Sequence, residues 1–293
     1  MRQNMGILYI LVSAAAFGAL PIFARFAYAS GVDTFTLLGL RFGLATIVMA
    51  GWMAVRHADW PRGRTLLGLI AMGALGYVGQ SFCYFSALQH APAGLVALLL
   101  YLYPALVAIL AAVVLKERLS RHKAVALALA LGGAILTIGV SSGGSPTGIA
   151  FGLGAAVIYA VYIIAGTRLL EKAPAIPAST VIIASAGVVY LGLSALRGPQ
   201  WPGTPAGWAA VGGVAFFGTC VAIVAFFAGV ERIGPTSAST LSTFEPVVSV
   251  ALAGLLLGER LSPYSLVGGS LILAAVVLLA RQPAPVPGRN LDG

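Results

Sequence analysis

Long apolar stretches separated by short polar loops dominate the chain. Each stretch has about the 20 residues that a helix needs to cross the roughly 30 Å hydrocarbon core of a bilayer. Ten such stretches are predicted to be helices, over residues 5–28, 34–54, 65–88, 94–115, 123–141, 148–170, 178–196, 207–230, 236–257 and 263–281. The pattern predicts an all-α polytopic membrane protein with ten transmembrane helices.

The chain also contains two copies of one unit, offset by 142 residues. Residues 116–120 read Lys-Glu-Arg-Leu-Ser and residues 258–262 read Gly-Glu-Arg-Leu-Ser. The same offset pairs Gly6 with Gly148, Phe17 with Tyr159, Gly76 with Gly218, Phe85 with Phe227 and Pro104 with Pro246. Five helices is an odd number, so the two copies must cross the membrane in opposite senses, an arrangement typical of transporters.

The repeat sets the expected domain boundaries. Residues 1–141 are predicted to be the first five-helix repeat and residues 148–281 the second, inverted one. Residues 282–293 are Pro-rich and lack apolar periodicity, so we expect a disordered tail.

Composition excludes a water-soluble protein, with 59% hydrophobic and 9% charged residues and a mean hydropathy of +0.98. The net charge of +9 is explained by topology. Thirteen Lys and Arg residues fall on one predicted face: Arg2, Arg56, Arg62, Arg64, Lys116, Arg118, Arg121, Lys123, Arg168, Lys172, Arg232, Arg281 and Arg289. The other face has only Arg197 and Arg260, so the positive-inside rule places both termini in the cytoplasm and no nucleic-acid partner is expected.

Catalytic and metal-binding signatures are absent from the sequence. The histidines all lie in predicted loops, and the chain has no Gly-x-Ser-x-Gly, no His-Glu-x-x-His and no phosphate-binding Gly-rich loop. We therefore expect no enzyme activity, no catalytic residue, no cofactor and no metal.

Three ionisable residues fall within the predicted spans. Glu245, near the middle of the ninth, could bind a cationic or amino group or carry a proton. The alternative is a structural role, in which it makes hydrogen bonds beside Pro246 or pairs with an arginine. Arg25 and Arg41 lie near the ends of their spans, where long side chains reach water, and this is the favoured interpretation of both. The alternative for Arg25 is a place in the outer vestibule.

Polar and aromatic side chains cluster on several predicted helices. Tyr77, Gln80 and Tyr84 follow helical spacing on the third, a face that should turn away from lipid. The candidate substrate-binding residues are Tyr77, Gln80, Tyr84, Tyr101, Tyr103, Tyr159, Ser242, Thr243 and Glu245. Taken singly, each aromatic residue is also compatible with packing or with the interfacial aromatic belt.

Three prolines are predicted to interrupt spans: Pro21, Pro104 and Pro246. Pro104 and Pro246 occupy matching positions in the two copies. Irregular helices at matching positions of two repeats indicate a midplane binding site, so these residues are candidates for helix breaks that take part in gating. Static kinks that serve packing are the alternative.

These features resemble the EamA-type drug/metabolite transporter superfamily. The resemblance is carried by the ten spans in two copies and by the segments from Pro104 and Pro246 to the Glu-Arg-Leu-Ser runs. Within the superfamily, the chain is similar to YddG-like bacterial exporters of aromatic and other neutral amino acids. The resemblance implies that helices 1, 3, 4, 6, 8 and 9 surround a central cavity and that helices 5 and 10 are peripheral. It further implies that Glu117 and Glu259 are structural, capping or pairing at the span ends with Arg118 and Arg260.

The function implied is secondary transport by alternating access. We expect export of small neutral or aromatic amino acids and related metabolites across the bacterial inner membrane. The partners are then a small-molecule substrate and the lipid bilayer, with proton coupling left open. The alternative is an exporter of drugs and lipophilic cations with the same fold.

Overall fold

The computed structural model describes residues 2–114, 121–139, 144–170 and 173–280. These residues form ten helices with no strand among them, which confirms the predicted fold class. Their bounds are α1 Arg2–Ala29, α2 Thr34–Val55, α3 Gly63–His90, α4 Ala93–Leu100 and Tyr103–Val114, α5 Arg121–Gly139, α6 Pro146–Leu170, α7 Ala175–Arg197, α8 Pro205–Ile233, α9 Pro235–Ser242 and Phe244–Leu257, and α10 Pro263–Ala280.

In the described parts of the chain, nine helices are long and apolar enough to cross a membrane. The tenth, α5, has 19 residues, begins with the basic residues Arg121, His122 and Lys123, and packs along α10 in the same bundle. Large apolar side chains point out of the bundle, among them Ile47, Val188 and Leu255. This outward apolar surface suits lipid, and the protein is a multi-pass membrane protein.

Helix packing follows the internal repeat. Helix α1 packs against α8 and α9, and its counterpart α6 packs against α3 and α4. Helix α2 packs against its counterpart α7, and α5 against α10. The two copies therefore interlock about a common centre.

Local sequence explains how several helices begin and end. Asp33 precedes α2, and its carboxylate accepts hydrogen bonds from the backbone N–H groups of Phe35 at 2.8 Å and Thr36 at 3.1 Å. Partial burial raises the pKa of Asp33, but these bonds and one from the Thr36 hydroxyl outweigh it and leave the pKa below its ordinary value of 3.8. Gly258 ends α9 at a φ of 65°, a conformation that favours glycine.

The prediction that Pro21 interrupts a helix is wrong, because α1 continues through it. In membranes, neighbouring groups satisfy the backbone carbonyl that an internal proline leaves free. Pro104 and Pro246 do lie beside breaks. Each is in the first turn of the helix that follows the break, where a missing N–H costs little.

Some predictions lie outside the described residues. These are the Lys-Glu-Arg-Leu-Ser run at 116–120 with the pairing of Glu117 and Arg118, the end of the first repeat at residue 141, and the tail at 282–293. The domain boundaries stay a prediction.

Candidate functional site

Two adjoining chambers lie in the centre of the bundle. They share the side chains Phe17, Tyr77, Tyr101, Tyr103, Tyr159 and Glu245. The first chamber has a volume of about 130 Å³ and is also lined by Arg41, Gln80 and Tyr84. The second has a volume of about 260 Å³ and is also lined by Ser242 and by apolar residues of α7 and α8. Together they fall near the lower end of the range of about 300–1,000 Å³ for small-molecule sites.

The breaks in α4 and α9 meet beside these chambers. Helix α4 is interrupted at Tyr101 and Leu102, and α9 at Thr243. The 142-residue offset equates Tyr101 with Thr243 and Tyr103 with Glu245. The two irregular segments are therefore counterparts in the two copies.

A hydrogen bond joins the two breaks. The Tyr101 hydroxyl lies 2.9 Å from the backbone oxygen of Ser242 and 2.9 Å from Oε2 of Glu245. Pro246 follows Ser242 by four residues and has no N–H, so it cannot satisfy the Ser242 carbonyl as a helix normally would. Tyr101, from the other copy, supplies the missing donor.

Glu245 lies in the first turn of the second half of α9. Among the described residues, the Tyr101 hydroxyl is its one hydrogen-bond partner. A carboxylate near the start of a helix is favoured by the helix dipole, which helps this segment to hold an acid inside the bundle.

Three hydroxyl groups face the open space of the two chambers. In the described parts of the chain, the hydroxyls of Tyr84, Tyr103 and Tyr159 have no hydrogen-bond partner. Every buried side-chain oxygen or nitrogen there does have a partner, so these three hydroxyls are not buried. They must therefore reach the open space of the chambers that they line. The rings of Tyr103 and Tyr159 meet edge to face, with centroids 4.7 Å apart. The arrangement offers both aromatic surface and hydrogen-bonding groups.

Arg41 lies at this chamber and does not reach out to water, contrary to the sequence interpretation. Its side chain is 4% exposed, and its Nε donates to the Thr219 hydroxyl at 3.0 Å. Its guanidinium carbon lies 4.7 Å from the Phe42 ring centroid and 5.1 Å from that of Phe85. The position of Arg41 within two turns of the helix end suggested an exposed side chain, but rotation of α2 within the bundle turns it inward.

Arg25 is placed differently. Its Nη1 donates to the backbone oxygen of Leu88 at 2.7 Å, and it lines neither chamber.

Helices α2 and α7 also contribute to the chamber walls, through Arg41 and through Ser179, Ile182 and Ile183. The resemblance had implied neither helix.

Two π-helical turns, which sequence reasoning missed, shape the site. They span Met72–Tyr77 in α3 and Phe216–Val221 in α8 and include Tyr77 and Thr219. Such turns occur often at functional sites. The one sequence signal near them is the matched pair Gly76 and Gly218, which does not distinguish a π turn from close packing.

The remaining predicted residues are placed as follows. Gln80 lines the first chamber, and its Oε1 accepts from the Ser81 hydroxyl at 3.3 Å. The Ser242 hydroxyl donates to its own helix at the Ala238 carbonyl, 2.9 Å away. Thr243 lines neither chamber; it lies with Pro104 along a neighbouring groove.

Glu259 is structural, as expected, but its partner was not foreseen. Its carboxylate accepts from the backbone N–H groups of Ala93 at 2.8 Å and Gly94 at 3.1 Å. It therefore caps the start of α4 in the other copy.

Comparison with known proteins assigns the family. The sequence matches the EamA-like transporter family over residues 4–139 and again over residues 146–281. The protein belongs to the EamA-like transporter family. This confirms the resemblance seen in the sequence, and membership indicates a transporter rather than an enzyme.

Several relatives of this EamA-like transporter have functional names. This chain is 29% identical to a probable terminal-alkyne amino-acid exporter of Streptantibioticus cattleyicolor, over 97% of each chain. It is 27% identical to the aromatic amino acid exporter YddG of Ancylobacter novellus, over 83% of this chain and 82% of the relative. A solved crystal structure with 23% identity superposes with a TM-score of 0.67 over 94% of this chain and 96% of the other, which shows the shared fold.

Proposed function

We propose that this EamA-like transporter exports small neutral and aromatic amino acids across the bacterial inner membrane, with both termini in the cytoplasm. The observation that carries the proposal is the central chamber, where aromatic rings and free tyrosine hydroxyls surround one acid at the junction of two helix breaks. Two relatives named as amino-acid exporters support this substrate class.

The chamber suits an amino acid with a flat side chain. Tyr103 and Tyr159 offer ring surface for stacking, and Tyr84 and Gln80 offer hydrogen bonds. Glu245 would meet the ammonium group. Each contact uses a group that the described part of the protein leaves open to the chamber.

Alternating access would use the paired breaks as pivots. The halves of α4 and α9 join at Leu102 and Thr243, where helical hydrogen bonding is interrupted and the backbone can bend. The hydrogen bond from Tyr101 to Ser242 joins the two copies. Rocking of one copy against the other would therefore stretch this bond first.

Glu245 would exchange a proton during the cycle. The Tyr101 hydroxyl has one proton but lies within hydrogen-bond distance of two acceptor oxygens, on Ser242 and Glu245. A proton on Glu245 would complete the set, because Glu245 could then donate to Tyr101 while Tyr101 donates to Ser242. Arrival of a substrate ammonium would replace that proton.

Export of lipophilic cations is the second candidate. Glu245 stands beside the rings of Tyr101, Tyr103 and Tyr159, and an acid among aromatic rings can bind a cation. Under this alternative, the substrate would need no carboxylate.

The test is uptake of labelled amino acids into proteoliposomes that contain the purified protein. We expect saturable uptake of tyrosine and other neutral amino acids above protein-free liposomes, and its loss in Glu245→Gln. Glu231→Gln, which changes an exposed acid, is the matched control and should transport normally. Background uptake of every amino acid, with transport of a lipophilic cation such as tetraphenylphosphonium, would replace the first function with the second.

A further inference from the structure

Arg41 is a buried cation with no acidic partner among the described residues. Burying a charge in a membrane protein is expensive unless another group compensates it. No carboxylate among the described residues lies within ion-pair distance of Arg41; its hydrogen-bonding neighbours are the neutral hydroxyls of Thr219 and Tyr77. The described residues therefore place no compensating negative charge next to Arg41.

The guanidinium group is open to the first chamber. Its Nε donates to the Thr219 hydroxyl, and the Tyr77 hydroxyl lies beside the guanidinium group. Its two terminal nitrogens have no further acceptor in the described parts of the chain, and no buried side-chain nitrogen there lacks a partner. These nitrogens must then contact the open space of the chamber that Arg41 lines.

Aromatic contacts orient this group. Phe42 and Phe85 lie over the guanidinium at 4.7 Å and 5.1 Å. The rings offer no acceptor oxygen, so these contacts leave the N–H groups of Arg41 available to another acceptor. A guanidinium edge matches the two oxygens of a carboxylate in a bidentate pair.

The same chamber holds the complementary charge at a different point. Glu245 lines it, and Tyr84 lies within electrostatic reach of both Glu245 and Arg41. The two charged groups do not pair directly, since their described hydrogen bonds go to Thr219 and Tyr101. A cavity with separate positive and negative groups is complementary to a zwitterion.

We propose that Arg41 binds the carboxylate of the substrate and thereby restricts transport to zwitterionic α-amino acids over amines and lipophilic cations. The inference rests on the proposed function and deepens it. With Arg41 at the carboxylate and Glu245 at the ammonium group, the substrate is held by two of the groups on its α-carbon. Its side chain then faces the tyrosine rings. A structural role in holding the π turn at Thr219 would use only the Nε group and would not discriminate between substrates.

The test compares tyrosine with tyramine, which lacks the carboxylate, in proteoliposomes of wild type, Arg41→Met and Arg25→Met. We expect wild type to prefer tyrosine at least about tenfold, the ratio that one charge-assisted hydrogen bond can supply. Arg41→Met should lower this ratio about tenfold or more. Arg25→Met removes an arginine of the same bundle that lines neither chamber, so it should keep the wild-type ratio.

The ratio of tyrosine uptake to tyramine uptake separates a role of Arg41 in substrate binding from a role in folding. Equal losses of tyrosine and tyramine uptake in Arg41→Met, with the ratio unchanged, would overturn the inference. If Arg41→Met does not give folded protein, Arg41→Lys decides, since it keeps the charge but loses the bidentate edge. A lowered ratio in Arg41→Lys supports carboxylate binding, and an unchanged ratio overturns it.

The wild-type control separates failure of this inference from failure of the proposed function. Uptake of neither compound, together with background uptake of the other labelled amino acids, would reject amino-acid transport itself. Uptake of tyramine equal to or above that of tyrosine would leave a transporter in place but would overturn carboxylate binding by Arg41.

Discussion

Replacing Tyr101 with phenylalanine would test whether the junction between the two helix breaks holds the repeats together. The change removes one oxygen, which lies 2.9 Å from the Ser242 carbonyl oxygen and 2.9 Å from Glu245 Oε2. Because Pro246 has no N–H for the Ser242 carbonyl, Tyr101→Phe removes both contacts of this hydroxyl and leaves that carbonyl without its donor.

The expected magnitude follows from these contacts. Hydrogen bonds between membrane helices contribute about 0.6 kcal/mol on average and up to about 1.7 kcal/mol. Tyr101→Phe removes two such contacts, and Glu245 has no other hydrogen-bond partner among the described residues. We therefore expect the free energy of unfolding to fall by about 1–2 kcal/mol, a factor of about 5–30 in the folding equilibrium.

The assay is thermal unfolding of purified Tyr101→Phe in detergent, with Tyr103→Phe as the matched control. Each kcal/mol corresponds to a decrease of about 2–4 °C in melting temperature for a chain somewhat shorter than this one. The Tyr103 hydroxyl faces the chamber, so Tyr103→Phe should keep its stability within about 0.5 kcal/mol and instead weaken substrate binding. Unchanged unfolding of Tyr101→Phe, or an equal decrease in both variants, would refute the role of the junction.

Three further predictions concern helix contacts and caps. Gly18→Ala would place a Cβ 2.7 Å from a backbone oxygen of α9, so both melting temperature and tyrosine uptake should fall. Gly212→Ala, whose Cβ would meet no described residue within 4 Å, should change neither. Glu259→Gln should lower the free energy of unfolding by about 1 kcal/mol in thermal melts, because it removes the charge from the cap of α4, whereas the exposed Glu231→Gln should have no effect. Because the folded state lowers the pKa of Asp33, its carboxylate stabilises the protein above about pH 4 and loses this effect as the pH falls through the folded-state pKa. Asp33→Asn should therefore flatten the acid side of a plot of melting temperature against pH; an unchanged acid side would contradict the assignment.

The helices and their duplication could be predicted from the sequence. A membrane span needs a fixed length of apolar residues, and this requirement is local, so the predicted stretch 178–196 agrees with α7 at Ala175–Arg197 within three residues at each end. The offset of 142 residues also related the breaks near Pro104 and Pro246, since a proline restricts its own neighbours along the chain. The aromatic residues and Glu245 could be selected because polar groups in spans must turn away from lipid.

Which of these groups meet depends on the tertiary structure. The inward position of Arg41 follows from how α2 is rotated against its neighbours, and a few residues of sequence do not fix that rotation. The cap that Glu259 gives to α4 joins residues 166 positions apart, and the bond from Tyr101 to Glu245 spans 144 positions. The π turn that includes Thr219 has no residue signature of its own. Each of these contacts arises from packing between the two interlocked copies, whereas the pattern along the chain records the length, polarity and local backbone limits of one helix at a time.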